Sequence, residues 1–249
     1  MLKTLDNALD LLTYFTREKR QWGVRELAKE MHVSHTVVYR ILATYERYGF
    51  VRQEAKTKKY ELGFAFLEYG SILRDNLDMT QLIYPVMKKT ADATRESVFL
   101  TWLDGTEGIC LEIAESQQAV KYAFSVGTRT LLYAGASNKV IMAYLPPDVQ
   151  TAIIGKGLLA KTAHTIQSEE RLLDDLSRIR EQGWAYSVSE YTDNVFGIAV
   201  PLFASDGKVT ASLTIAGPDY RMPAEKVPHA LEVLQAAKEE IQTYLQRIL

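Results

Sequence analysis

The chain has a single cysteine, Cys110, in 249 residues. One thiol excludes an internal disulfide framework and any multi-cysteine metal cage, and it fits a reducing compartment. The four histidines include no pair spaced i, i+4, so the helical zinc-ligand signature is missing too. No uncharged run exceeds the twelve residues 194–205, short of the roughly 18 that a membrane-spanning helix needs. The opening MLKTLDNALDLLTYF carries two aspartates and no small-residue cleavage site, so no signal peptide is expected and a cytoplasmic, membrane-free protein is. There is no P-loop, no G-x-S-x-G elbow and no G-x-G-x-x-G after a strand. Cys110 sits mid-strand in GICLEI with no helix start before it to acidify the thiol, and reads as buried and inert. Glu112, Glu115 and Glu190 read as solvent-facing strand carboxylates. The expectation is a non-enzyme that needs no cofactor and no metal.

What is present is an uneven charge distribution. The net charge is −2, yet residues 17–59 carry eleven Lys/Arg against five Asp/Glu, while residues 60–249 carry seventeen against twenty-four. A basic block of about forty residues on an otherwise acidic chain points to one end that meets a polyanion.

Periodicity divides the chain. Leu5, Leu9, Leu12 and Phe15, with Ala8 and Leu11, predict a helix over 4–16. A short helix over 24–31 follows, then a three-residue break and a third helix capped by Ser34 and closed by Gly49. FVRQEA and KKYELG form a small hairpin turning near Lys56 and Thr57. A helical pattern over 64–77 is the connector, and Thr80 caps the next helix, in which Pro85 must lie near the first turn or make a kink. Strands are expected at 97–104, 108–115, 119–124, 184–190, 197–203 and 208–216, and helices near 137–145, 147–154, 169–182 and 224–249. Asp104-Gly105 and Asp206-Gly207 are hairpin signals, which make the sheet at least partly antiparallel.

Helix, short turn, helix is the frame of a helix-turn-helix. The third helix has two faces: Val38, Ile41, Leu42 and Tyr45 point to a core, and Thr36, Tyr39, Arg40, Ala43 and Arg47 point outward. The outward face offers the hydrogen-bonding reach that major-groove readout requires, with His35 and Thr36 at the end that approaches bases. Lys56, Lys58 and Lys59 near the hairpin tip suit phosphate contact. The candidate DNA-binding set is Arg25, Ser34, His35, Thr36, Tyr39, Arg40, Lys56, Lys58 and Lys59. The competing reading is a small-molecule sensor or scaffold protein that uses its helix-turn-helix only to dimerise.

VSHTVVYRILATYERYGFV followed by KKYELG resembles the DNA-binding signature of IclR-type bacterial transcriptional regulators. The resemblance continues through RESVFLTWLDG, VGTRTLLYAGASNKVIMAYLP, LLDDLSRIREQGWAYSVSEYTDNVFGIAVPLF and SLTIAGPDYR, in order and over nearly the whole chain. It implies an α+β protein: a winged helix-turn-helix DNA-binding domain over 1–63, a linker helix over 64–79, and an effector-binding domain over 80–249. The last would have a GAF/profilin-like, largely antiparallel sheet flanked by helices. It also implies homodimers that pair into homotetramers on a palindromic double-stranded operator, acting as repressor or activator under control of a small organic acid or aromatic metabolite.

Carried over position by position, the resemblance implies an effector pocket lined by Tyr122, Ala136, Ser137, Ser187, Val195, Gly197, Thr214 and Ala216. Gly135 and Ala136 allow close backbone approach. Ser137 is expected to cap the following helix, whose first N–H groups would favour a carboxylate. Two departures from the family pattern stand out. Asn138-Lys139 replaces the usual Gly-Lys, and Ser187 and Gly197 replace the acidic residue and cysteine of members that bind small 2-oxo acids. The smaller groups at 187 and 197 argue for a different or bulkier ligand.

Overall fold

The computed structural model describes residues 2–76 and 79–248. They form two compact units, Met1–Leu77 and Asp78–Leu249.

In the first unit α1 (Lys3–Thr13), α2 (Val24–Glu30) and α3 (His35–Arg47) enclose a core of Leu11, Leu27, Val38, Ile41 and Leu42. The Ser34 hydroxyl accepts from the Val37 N–H, so this residue caps α3 as expected. His32, in the turn before it, takes a left-handed φ of 53°. β1 (Val51–Gln53) and β2 (Tyr60–Leu62) form the antiparallel hairpin, with Arg52 opposite Glu61. Trp22 adds a third short member: its N–H and C=O exchange hydrogen bonds of 2.9 and 2.8 Å with Tyr60. Gly63 is obligatory, because a Cβ there would lie 2.1 Å from the Gly49 carbonyl oxygen. That close backbone crossing starts α4 (Ala65–Asn76), which Phe50 anchors by an edge contact with Phe66 and a stacked contact with Tyr69 at 5.6 Å.

The α1 stripe divides in a way that its spacing does not announce. Leu11 is fully buried, but Leu5 and Leu9 are 54% and 57% exposed. They lie on a face that this unit leaves uncovered. The helix also ends at Thr13 rather than Thr16.

The second unit is built on a six-stranded sheet of β3 (Ser97–Asp104), β4 (Glu107–Ala114), β5 (Arg129–Leu131), β6 (Ala185–Val188), β7 (Val195–Phe203) and β8 (Val209–Pro218). The spatial order is β5-β4-β3-β8-β7-β6, and every neighbouring pair is antiparallel. Both expected hairpins are present, β3–β4 and β7–β8. A Cβ on Gly197 would meet Ala136 of α6 (Ala136–Met142), so alternation sends Ile198 and Val200 to the other face. There α5 (Met79–Thr94) and α9 (Val227–Ile248) pack together on the sheet. α7 (Pro147–Ile154) and α8 (Glu169–Gln182) complete the α6 side, where Leu172, Leu176 and Ile179 of α8 join one core with Val140 and Ile141. Covered on both faces, β8 is buried along nearly its whole length, Ser212 and Thr214 included.

Three expectations about elements are corrected. Residues 119–124 are not a strand: the segment crosses as a loop, with Tyr122 and Phe124 both turned onto Phe99 rather than paired into the sheet. Thr80 is not a cap, since α5 is already helical at Met79, and Pro85 lies inside that helix. The last helix begins at Val227, after a 3₁₀ turn over Ala224–Lys226, rather than at residue 224.

Candidate functional site

Helix α3 turns one face inward and the other to solvent. Val38, Ile41 and Leu42 are buried, whereas His35, Thr36, Tyr39 and Arg40 are exposed, with Tyr39 at 56%. Ser34 is held by its capping bond, and Arg25 is exposed on α2. The hairpin tip is stiffened from within. Glu54 accepts from the backbone N–H groups of Lys56 and Thr57, which holds its carboxyl below the usual range, and Lys58 takes a left-handed φ of 57°. Lys56 and Lys58 stand in solvent, but Lys59 is half-buried and its Nζ lies 3.1 Å from Glu26 Oε1. Among the described residues, the lysine trio of the hairpin is thus two cations without an ion-pair partner and one internal ion pair.

In the second unit the sheet, the 115–128 loop and the start of α6 surround a cavity of about 570 Å³, counting its open mouth. Tyr122, Ala136, Ser137, Ser187, Val195, Gly197, Thr214 and Ala216 all line it. The lining also includes Phe99, Phe124, Thr130, Asn138, Glu190, Tyr191 and Thr192, which sequence reasoning did not place in the pocket. Phe99, Tyr122 and Phe124 form one aromatic wall with centroids 5.5–6.1 Å apart. Tyr122 donates to or accepts from Thr192 at 3.3 Å, and burial pushes the Tyr122 and Tyr191 phenols up.

The start of α6 differs from expectation. Its N-cap is Gly135, at φ 81°, and Ser137 sits inside the helix without capping it. The Ala136 N–H donates instead to Ser187 Oγ at 2.9 Å, and the Gly135 N–H to Glu190 Oε2 at 3.2 Å. Glu190 is therefore not a solvent-facing carboxylate. Its side chain is 13% exposed, and Oε1 lies 2.6 Å from Nζ of Lys139, which is itself 1% exposed and equally close to Asp175 Oδ2 on α8. A buried lysine between two carboxylates satisfies the rule that buried charge is paired. Asn138, one residue earlier, accepts from the Thr130 hydroxyl and donates to the Ala134 carbonyl. The Asn138-Lys139 pair is thus a polar anchor for the helix, and only the lysine's position after a small-residue turn hinted at it.

Among the described residues two buried hydroxyls, Ser212 Oγ and Thr214 Oγ1, have no hydrogen-bond partner. Cys110 lies under the aromatic wall, and burial pushes its thiol up to about 12. Among the described residues no helix is long and apolar enough to cross a membrane.

Two family models cover most of the chain. The model described as the IclR helix-turn-helix domain matches residues 4–55, and that described as bacterial transcriptional regulator IclR, C-terminal, matches residues 73–243. The chain is similar to the HTH-type transcriptional regulator KipR of Bacillus subtilis, 30% identical over 240 residues, which cover 96% of this chain and 95% of that protein. A crystal structure of a transcriptional regulator from Alicyclobacillus acidocaldarius superimposes with a TM-score of 0.87 at 25% identity, over 98% of this chain and 99% of that one. A homolog from Microbacterium hydrocarbonoxydans, solved in complex with 4-hydroxybenzoate, shares the fold with a TM-score of 0.84 at 23% identity, over 97% and 98% of the two chains.

Proposed function

Since the chain belongs to the IclR family of bacterial transcriptional regulators, we propose that its operator binding is set by a small molecule held in the cavity of the second unit. The observation that carries this reading is convergence: eight residues scattered from Tyr122 to Ala216 line one cavity. A pocket with an apolar wall and a few polar groups is the usual form of a small-molecule site. The ligand-bound homolog from Microbacterium hydrocarbonoxydans supports the same use of the fold.

In this proposal residues 1–63 bind DNA, 64–79 couple the two functions, and 80–249 bind the effector. His35, Thr36, Tyr39 and Arg40 read base edges in the major groove. Lys56 and Lys58 neutralise phosphate, with Arg25 and Ser34 beside them on the backbone, while Lys59 supports the hairpin through Glu26. The exposed apolar side chains Leu5 and Leu9 on α1 and Leu67 and Ile72 on α4 support two-fold pairing of copies through those helices, on a palindromic operator, with further pairing into tetramers. These are other elements than α3, which stays available for DNA, so the scaffold alternative gains nothing from them. The site of action is the cytoplasm.

The test is a gel-shift titration of the full chain on fragments of its own genome at two salt concentrations, with a carboxylate and aromatic library in parallel. The proposal requires salt-dependent retention of a small subset of fragments and release by a compound that also raises Tm. Uniform binding of all fragments, or no binding, would contradict it.

A further inference from the structure

We propose that the cavity takes an uncharged aromatic molecule bearing one hydrogen-bonding substituent, a simple phenol being the type, with the ring on the Phe99–Tyr122–Phe124 wall and the substituent on Thr214. The inference rests on reading the cavity as the effector site, and it adds the ligand's chemical class.

The ring is called for by the wall. Three aromatic side chains with centroids 5.5–6.1 Å apart line one side of the cavity, and a flat π-face stacks on such a surface with more gain than an aliphatic chain of equal area.

The substituent is called for by Thr214. Its side chain lines the cavity, is 4% exposed, and has an Oγ1 without a partner. A buried hydroxyl left unpaired is costly, and a ligand hydroxyl restores the missing bond. Space for it lies over Gly197, where a Cβ would come within 3.3 Å of the Ala136 Cβ and 3.9 Å of the Thr214 Cγ2. The glycine keeps open the corner that the Thr214 methyl faces, and one rotamer step about χ1 exchanges that methyl with Oγ1.

The absence of charge follows from what the protein has already used. Glu190 is the one carboxylate or cation among the described lining residues. Its oxygens are taken by Lys139 and the Gly135 N–H. The next N–H at the start of α6, that of Ala136, is taken by Ser187. An incoming carboxylate therefore meets no cation, finds these two amides engaged, and has only neutral donors such as Ser137 to turn to. An incoming ammonium meets a carboxylate already neutralised. Either charge would be buried without a counterpart, which costs far more than burying a neutral ring.

The experiment is calorimetric titration of the full chain with phenol, benzoate, benzylammonium and toluene, repeated on Thr214→Val and Gly197→Val. The proposal expects phenol to bind at least tenfold more tightly than benzoate or benzylammonium. Thr214→Val, an isosteric change, should weaken phenol by roughly fivefold, the worth of one neutral hydrogen bond, and leave toluene unchanged. Gly197→Val should abolish phenol binding. Benzoate or benzylammonium binding as tightly as phenol, and lost in Gly197→Val, overturns the ligand class while the cavity stays the effector site. Phenol binding that ignores both variants overturns the cavity reading as well, because the ligand then sits elsewhere. If no probe binds, or if phenol ignores Thr214→Val alone, the assignment of class or substituent is wrong. Should Gly197→Val fail to fold, the Thr214→Val comparison of phenol with toluene still decides.

Discussion

The Ser187 hydroxyl, on strand β6, accepts the backbone N–H of Ala136, the first residue of helix α6, at 2.9 Å. One hydrogen bond thus closes the far strand of the sheet onto the helix that forms the cavity floor. Both residues line the cavity, and Ser187 also holds its shape. It does for α6 what an N-cap side chain does, from a strand fifty-one residues away in sequence.

Ser187→Ala should lower stability by about 1 kcal/mol, the worth of a lost capping side chain. Urea denaturation measures it through the midpoint. A change below roughly 0.3 kcal/mol, against that expected range, would mean the Ala136 N–H finds another acceptor.

Lys139 should be the costlier position. Lys139→Met leaves Asp175 and Glu190 buried without their shared cation, at about 3–5 kcal/mol. Arg178 touches the same Asp175, yet its side chain is 70% exposed, so Arg178→Ala should cost less than about 1 kcal/mol. The same denaturation assay compares them. Equal losses would contradict the reading of Lys139 as the essential cation of the triad.

Burial of Cys110 gives a chemical and a pH prediction. With the thiol pushed from 9.0 up to about 12, the native protein should resist iodoacetamide at pH 8 and react only on unfolding. Because the folded-state value is raised, the neutral thiol's contribution is complete below pH 9.0 and is lost as pH rises toward about 12. Cys110→Ala should therefore flatten the alkaline limb of the stability profile. Rapid native alkylation would contradict the buried placement.

Much of this arrangement is legible in the sequence. The two faces of α3, the Ser34 cap and both sheet hairpins follow from spacing and turn chemistry, because each is decided within a few residues. The eight pocket positions come from resemblance rather than from periodicity, since they gather only through the pairing of β6, β7 and β8. What stays hidden depends on distant partners. The alternation in 119–124 looks like a strand, but its aromatics Tyr122 and Phe124 pack on Phe99 from a loop. Glu190 and Lys139, fifty-one residues apart, look like separate surface charges until the fold places them 2.6 Å apart. Ser137 looks like a cap until Gly135 takes that position. The uncovered leucines of α1 have the same spacing as buried ones, so no pattern within the helix separates them.

On the DNA side, the hairpin should act through charge alone. Lys56→Ala and Lys58→Ala should weaken binding to all duplexes alike and reduce the slope of log K against log [salt] by about 1 for each phosphate no longer neutralised. Lys59→Ala should act on stability instead, since its cation is held by Glu26. Anisotropy titrations at several salt concentrations read the slope. A sequence-dependent effect of Lys56 or Lys58 would place them at base edges and contradict this division.

The central claim is that α3 reads a specific operator, and the most direct measurement is selection from random duplexes by the full chain and by Arg40→Ala. The account predicts that the native chain enriches one palindromic sequence, bound more tightly than bulk DNA and with steep salt dependence. Arg40→Ala should keep its fold and its non-specific affinity while losing about 1–3 kcal/mol of discrimination at one base pair of each half-site. Enrichment of no sequence, or the same preference with Arg40 removed, would contradict it.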